Sequence, residues 1–221
     1  MAESVLIAEN IFLNIGNKEI LNGCTIRAEK GNVTGLLGRN GAGKSMILQA
    51  VFGARHAREC DVFWNGEKMQ NPCQKVGFIN YLPQFQFIPS HLSLKMVSRQ
   101  FNVVISEILA VFPEFEADVN KCIGEMSGGQ VRLFSVLLLL FAETHFTLLD
   151  EPFTHISPLY VERLKGLIAA KKEQKGIILT DHMYRLVLEV TDVLYLVKDG
   201  QTTLIKERSN LALYKYVNEP V

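Results

Sequence analysis

Strand-like and helix-like spacings of apolar residues alternate along the chain. Val5 to Ile15 and Cys24 to Ala28, rich in Ile, Val and Phe and parted by the polar turn Gly16-Asn17-Lys18, predict strands. Gly31-Asn32 turns the chain into Val33-Thr34-Gly35-Leu36-Leu37, a short apolar run suited to a strand covered on both faces. A glycine-rich loop follows, then a helix through Met46, Leu48, Val51 and Phe52. Asp61 to Trp64, ended by Asn65-Gly66, predicts a strand entering a tight turn. Val76 to Leu82 predicts another, closed by Pro83.

From Phe85 to about Gly124 the spacing turns helical, with Leu92 to Phe101 and Val103 to Phe112 bounded by Pro89 and Pro113 and followed by the loop at Asp118 to Lys121. Gln130 to Phe141 is an apolar helix and Phe146 to Leu149 a buried strand. Leu159 to Ala170 is an amphipathic helix with Val161, Leu164, Leu167 and Ile168 inward. Gly176 to Leu179 is a strand, Tyr184 to Val190 a helix, and Val193 to Ile205 a hairpin around Asp199-Gly200. Strands alternating with helices predict a parallel sheet with helices on both faces. The all-helical middle is then an insertion.

Composition narrows the class. An apolar share of 48% in 221 residues excludes intrinsic disorder and supports one domain with a real core. Equal numbers of basic and acidic residues, 23 of each, argue against a sequence-independent nucleic-acid binder. The longest apolar stretch, Leu133 to Ala142, is far short of the ~20 residues a membrane-spanning helix needs. Met1-Ala2-Glu3-Ser4 lacks the basic flank and apolar block of a secretion signal. Cys24, Cys60, Cys73 and Cys122 form no C-x-x-C pair and are expected to be reduced and mostly buried. The expectation is a soluble protein working inside the cell.

Gly38-Arg39-Asn40-Gly41-Ala42-Gly43-Lys44-Ser45 matches G-x-x-x-x-G-K-[ST] between a predicted strand and a predicted helix, where the motif binds phosphate. Glycines let the backbone wrap an anion closely, and successive N–H groups at a helix N-terminus cradle it. Lys44 can then reach the β- and γ-phosphates, and the Ser45 hydroxyl can ligate Mg²⁺. Phe146-Thr147-Leu148-Leu149-Asp150-Glu151 is an apolar strand ending in two carboxylates, in the crevice where parallel sheets bind ligands. Asp150 would hold Mg²⁺ through water and Glu151 would polarise the attacking water. The two motifs together predict a nucleoside triphosphatase. Asn17-Lys18 and Asn120-Lys121 lack the aspartate of a guanine-reading Asn-Lys-x-Asp, which argues against a GTPase.

With these residues the sequence resembles the ATP-binding cassette (ABC) ATPases, from about Val5 to Ile205. Met126-Ser127-Gly128-Gly129-Gln130 is similar to the family signature Leu-Ser-Gly-Gly-Gln, Gln84 after Tyr81-Leu82-Pro83 to the glutamine of the Q-loop, and His182 in Leu179-Thr180-Asp181-His182 to the switch histidine. The resemblance implies an α/β fold with a P-loop NTPase (RecA-like) parallel-sheet core, an N-terminal antiparallel β subdomain and an inserted α-helical subdomain. The core would take residues 1–85 and 143–221, and the helical part, with the signature, about 86–142.

The resemblance also implies roles. ATP would lie on Gly38, Arg39, Asn40, Gly41, Ala42, Gly43, Lys44, Ser45 and Met46, and Mg²⁺ on Ser45, Gln84 and Asp150. Glu151, His182, Gln84 and Lys44 would be catalytic: Glu151 orients water, Gln84 senses Mg²⁺ and the attack site, and His182 contacts the γ-phosphate. Ser127, Gly128, Gly129 and Gln130 would form a second anion site, used across a two-fold axis on the partner's ATP. A homodimer would thus bury two nucleotides and separate after hydrolysis.

Ile15 falls where the family usually places an aromatic residue against adenine. Ser157 stands where the loop after Pro152 commonly carries an aspartate, and Met46 replaces a common threonine. The short span from Gln84 to Ser127 and the single cassette point to the ATPase subunit of a transporter with separate membrane-spanning permease subunits. It would sit in the cytoplasm on the inner face of the cell membrane, with Phe85, Phe87 and Ile88 placed for contact with the permease. The competing readings are a soluble accessory ATPase, similar to the iron–sulfur assembly cassette, acting on a cytosolic scaffold, and a regulatory nucleotide-binding module. Lys171 to Lys175 is expected to be a solvated helix end, His56, His91, His145 and His155 structural or exposed, and the tail from Leu211 to Val221 docked on the core.

Overall fold

A computed structural model describes residues 4–207 and Ser209. Two sheets share the N-terminal half of the chain. Strands β1 (Val5–Ile15), β2 (Lys18–Glu29), β4 (Glu59–Trp64) and β5 (Glu67–Met69) form an antiparallel sheet ordered β2-β1-β4-β5. Its pairings Leu6↔Ala28 and Leu6↔Trp64 set the alternation that buries Leu6, Ala8, Ile26 and Val62 on one face.

The second sheet is ordered β10-β9-β3-β8-β7-β6 and contains β3 (Val33–Leu37), β6 (Ile79–Leu82), β7 (Phe146–Asp150), β8 (Gly176–Thr180), β9 (Val193–Lys198) and β10 (Gln201–Ile205). All its pairings are parallel except β9 with β10. Every residue of β3, β7 and β8 is buried, as a strand covered on both faces requires.

Alternate residues of these strands feed two cores. Leu36, Phe146, Leu148 and Ile178 pack toward α1 (Lys44–Phe52) and the antiparallel sheet. Leu37, Leu149, Ile177 and Leu179 pack toward α4 (Gly128–Phe141), α5 (Pro158–Lys171) and α6 (Tyr184–Val190). The short helices α2 (Leu94–Gln100) and α3 (Ile105–Val111), with 3₁₀ turns at Pro113–Asp118 and Ile123–Glu125, join this second core through Val97, Ile108, Phe112 and Phe115.

Several expectations need correcting. The predicted strand from Val76 begins only at Ile79, because Gly77 takes φ +71° and Val76 is 99% exposed. β2 starts six residues before Cys24 (24 − 18), carried by backbone pairing to β1 through the polar stretch Lys18-Glu19. All four cysteines are free, but only Cys24 is buried; Cys73 is exposed. The tail Leu211–Val221 lies outside the described residues.

The basic run at the end of α5 is not a solvated helix end. Lys171 lies over the Phe141 ring at 3.9 Å, and Lys172 pairs with Asp192 at 2.8 Å. Lys175 is only 3% exposed, and its Nζ donates to the carbonyls of Ala142 (2.5 Å) and Leu139 (3.3 Å) at the C-terminus of α4 and to Thr144 Oγ1 (3.4 Å). Burial, with a smaller push from the Lys171 charge, brings Lys175 down to about 7, against the pull of Glu143.

The unfolded chain therefore holds more protons than the fold from about pH 7 up to the ordinary lysine range, and stability rises with pH in that window. Cys24 and Cys60, pushed up to about 11 by burial, act in the opposite sense only above about pH 9. Between pH 7 and pH 9 the unfolding free energy of the unaltered chain should rise by about 2 kcal/mol more than that of Lys175→Met. Denaturant titration of both at the two pH values checks this; equal slopes would contradict it.

Candidate nucleotide site

The C-terminal ends of β3, β7 and β8 lie side by side, with Leu36 and Asp150 both paired to Thr180. Ligands of parallel sheets bind in the crevice outside such ends. From β3 the chain turns sharply through Gly38 to Gly43 into α1. A side chain at Gly38 would meet the Val197 carbonyl at 2.6 Å, and Gly43, the N-cap, takes φ +99° with Leu21 in the way of any Cβ. Both positions need glycine. Arg39, Asn40 and Gly41 are exposed, Ala42, Ser45 and Met46 half-buried.

Lys44 lies back across its own loop, donating from Nζ to the carbonyls of Gly38 (2.7 Å) and Arg39 (3.2 Å). Burial lowers its affinity for the proton, and the charges of Glu151, Asp150 and Asp181 oppose that.

Four of the predicted residues come together in one hydrogen-bonded group, and His182 lies beside it. Asp150, fully buried at the end of β7, accepts from Ser45 Oγ (3.0 Å) on one oxygen and from Tyr81 Oη (3.1 Å) on the other. Burial pushes this carboxyl up to about 6; the Ser45 and Tyr81 hydrogen bonds resist, the Glu151 charge adds, and Arg132 resists again. Gln84 Nε2 donates to both Ser45 Oγ and Glu151 Oε1, each at 3.0 Å. His182 Nδ1 lies 3.7 Å from Glu151 Oε2 and 3.4 Å from Asp181 Oδ1. Asp181 itself is held by the N–H groups of Phe153 and Met183, both at 3.0 Å. Glu151 takes φ +55°, unusual for a residue with a side chain, and its N–H donates to the Thr180 carbonyl at 2.7 Å.

The signature residues stand apart from this group. Ser127 caps α4, its Oγ accepting from the Gln130 N–H (3.3 Å) while Gln130 Oε1 accepts from the Ser127 N–H (3.0 Å). Gln130 Nε2 turns away to Asp118 at 3.1 Å. Gly128 has open space where a side chain would be, and a Cβ on Gly129 would meet the His155 carbonyl at 2.8 Å.

Three residues not singled out above, Arg132, Tyr81 and Thr154, join this group. Arg132, on α4 two residues after Gln130, donates to the carbonyls of Pro83 (2.6 Å), Glu151 (2.9 Å) and Asp150. Its signal was a lone cation in an apolar helical run, Val131-Arg132-Leu133. Tyr81 serves Asp150. Thr154 Oγ1 lies 3.3 Å from Glu151 Oε2 and 3.3 Å from His182 Nδ1.

Beside the loop, Lys18–Ile20, Arg39–Ala42 and Leu196–Gly200 line an open cavity of about 520 Å³. Ile15, 48% exposed at the end of β1, is not among its lining residues. Of the three residues expected to face a permease, Phe85 is 81% exposed, whereas Ile88 is buried and Phe87 packs against Phe101. Among the described residues no helix is long and apolar enough to cross a membrane.

Fold and site together define a P-loop nucleotide-binding cassette. The family described as ABC transporter matches residues 21–154, more than half of the chain, and the chain belongs to that family. It is 29% identical over 206 residues to the probable branched-chain amino acid transport ATP-binding protein LivF of Archaeoglobus fulgidus, covering 86% of this chain and 87% of that one. It is 27% identical over 217 residues to the lipopolysaccharide export system ATP-binding protein LptB of Haemophilus influenzae, covering 90% and 88%. The solved ATP binding subunit of an ABC transporter superposes with a TM-score of 0.84 at 19% identity, covering 98% and 95%. A nucleotide-free ABC transporter cassette gives 0.76 at 21%, covering 98% and 96%. These structures share the fold.

Proposed function

We propose that this chain binds and hydrolyses Mg-ATP on the loop from Gly38 to Met46, that two copies close around two nucleotides, and that the closing and opening drive separate membrane-spanning permease subunits. The carrying observation is the continuous hydrogen-bonded group Asp150–Ser45–Gln84–Glu151 beside the phosphate loop. The transporter names of the relatives support the coupling to a permease, and no relative or structure above supports the soluble accessory reading.

The donor set fits Mg²⁺, a hard cation that takes a few protein oxygens and shares the rest of its shell with phosphate and water. Ser45 Oγ and Asp150 Oδ1 lie within 3.0 Å of each other, and Gln84 can add its amide oxygen. These oxygens would hold the ion, which would supply neutralisation of phosphate charge. Glu151, held by Gln84, orients the attacking water and takes up its proton. Lys44 leaves the carbonyls of its own loop to meet the phosphates.

Ser127, whose side chain bonds only within its own capping turn, would with Gly128 and Gly129 serve the partner's nucleotide. The base is held more weakly than by an aromatic residue, since Ile15 cannot supply the roughly 1–3 kcal/mol of stacking. Phe85, next to Gln84 and outward-facing, is the residue best placed to report the site's state to a permease.

Purified protein is expected to hydrolyse ATP only with Mg²⁺. Lys44→Ala should lower ATP affinity by about 100-fold or more, because a charge-assisted contact to phosphate is lost within a site that three carboxylates make electronegative. Calorimetric titration measures it; undiminished affinity would remove Lys44 from the site.

A further inference from the structure

The structure assigns Thr154 as a positioning residue that couples Glu151 to His182, an inference that rests on the proposed hydrolysis at this site. Its hydroxyl stands between them, 3.3 Å from Glu151 Oε2 and 3.3 Å from His182 Nδ1. A hydroxyl has a single proton to give, and an ionised carboxylate can only accept. The Thr154 proton therefore goes to Glu151, and Thr154 Oγ1 accepts from His182 Nδ1–H.

The surroundings agree. Every oxygen near Nδ1 calls for a proton there: Thr154 Oγ1, Asp181 Oδ1 at 3.4 Å and Glu151 Oε2 at 3.7 Å. The ring is thus anchored through Nδ1. The same hydroxyl holds one oxygen of Glu151 while Gln84 Nε2 holds the other at 3.0 Å, so the carboxylate is oriented from both ends.

The local backbone explains why residue 154 can do this. The Thr154 N–H donates to the Glu151 carbonyl at 3.2 Å, closing a tight turn whose first residue is the left-handed Glu151. That turn brings the side chain of residue 154 back over the carboxylate of residue 151. Phe153, between them, is buried and tied to Asp181 at 3.0 Å, which fixes the turn relative to His182.

The Thr154 hydroxyl bonds to Glu151 and His182, not to the phosphate loop, Ser45 or Asp150, so its loss should act on turnover and leave nucleotide binding alone. Thr154→Val keeps the shape and removes the hydroxyl; Thr154→Ser keeps the hydroxyl. Steady-state ATP hydrolysis by the full chain is expected to show kcat reduced about tenfold or more in Thr154→Val, with KM within about twofold. Thr154→Ser should stay within about threefold of the unaltered chain. In a His182→Ala background, single-turnover rates should show Thr154→Val costing less than about threefold, because the coupled partner is already gone.

A full-sized, additive loss in that background would overturn the coupling, as would a Thr154→Ser variant as slow as Thr154→Val. If Thr154→Val fails to fold, Thr154→Ala carries the same comparison. Should Glu151→Gln and His182→Ala both turn over normally, the hydrolytic reading of the site fails. If those two are inactive while Thr154→Val keeps its kcat, only the role of Thr154 is refuted.

Discussion

Glu151→Gln is expected to bind Mg-ATP nearly as tightly as the unaltered chain while turnover falls by about 10²- to 10⁴-fold, the range a positioned general base contributes. The substitution preserves size and leaves the backbone bond to Thr180 in place. The amide still accepts from Gln84 Nε2 through its oxygen, so the bond between Gln84 and Ser45 is undisturbed. What is lost is a carboxylate able to take a proton from water. In the proposed function nucleotide affinity comes from other atoms, the loop N–H groups and Lys44, and should change little. Single-turnover hydrolysis with a binding titration on the same preparation separates the two effects; a normal rate would remove Glu151 from the chemistry.

Arg132→Ala has the largest expected effect on the fold of the site. One guanidinium satisfies three carbonyls from two different segments, Pro83 beside Gln84 and Asp150-Glu151 at the end of β7. Hydrogen bonds from a charged donor contribute about 1.5–3 kcal/mol each, though the Glu151 carbonyl keeps the Thr154 N–H. Losing the set should destabilise the chain by about 3 kcal/mol or more. It should also lower kcat at saturating ATP by at least about tenfold, since Gln84 and Glu151 lose their common anchor. Arg132→Lys should rescue only in part, because a point charge cannot span the three acceptors as a planar fork does. Urea unfolding with saturating kinetics tests this; stability within about 1 kcal/mol and kcat within twofold would show that the anchor is dispensable.

Much of the architecture was legible because local pattern and final environment agree. β1, β3 and α6 occupy the residues that apolar spacing assigned to them, and the Asp199-Gly200 turn joins β9 to β10 as expected. The phosphate loop was legible for the same reason: its glycines answer a backbone need that is local. Elsewhere distant partners override the local signal. Val76 has the composition of a strand residue, yet Gly77 breaks the extended run before β6 can pair. Lys175 reads as a surface lysine because nothing near it in sequence announces that the last turn of α4 will end on its amine.

Arg132, Tyr81 and Thr154 were missed for a related reason. Arg132 bonds to backbone carbonyls, which have no signature in the amino-acid string. Tyr81 and Thr154 act on Asp150, Glu151 and His182 only after the strand ends have been brought together. The signature residues were the opposite case: recognisable by resemblance, yet joined within their own subunit to a capping turn and to Asp118 rather than to the carboxylates.

The mass of Glu151→Gln in solution, measured by light scattering with and without saturating Mg-ATP, tests the pairing of two subunits most directly. A monomer is expected without nucleotide and, with it, a particle of twice the mass carrying two ATP molecules. A monomer under both conditions, with ATP bound and permease supplied, would contradict it.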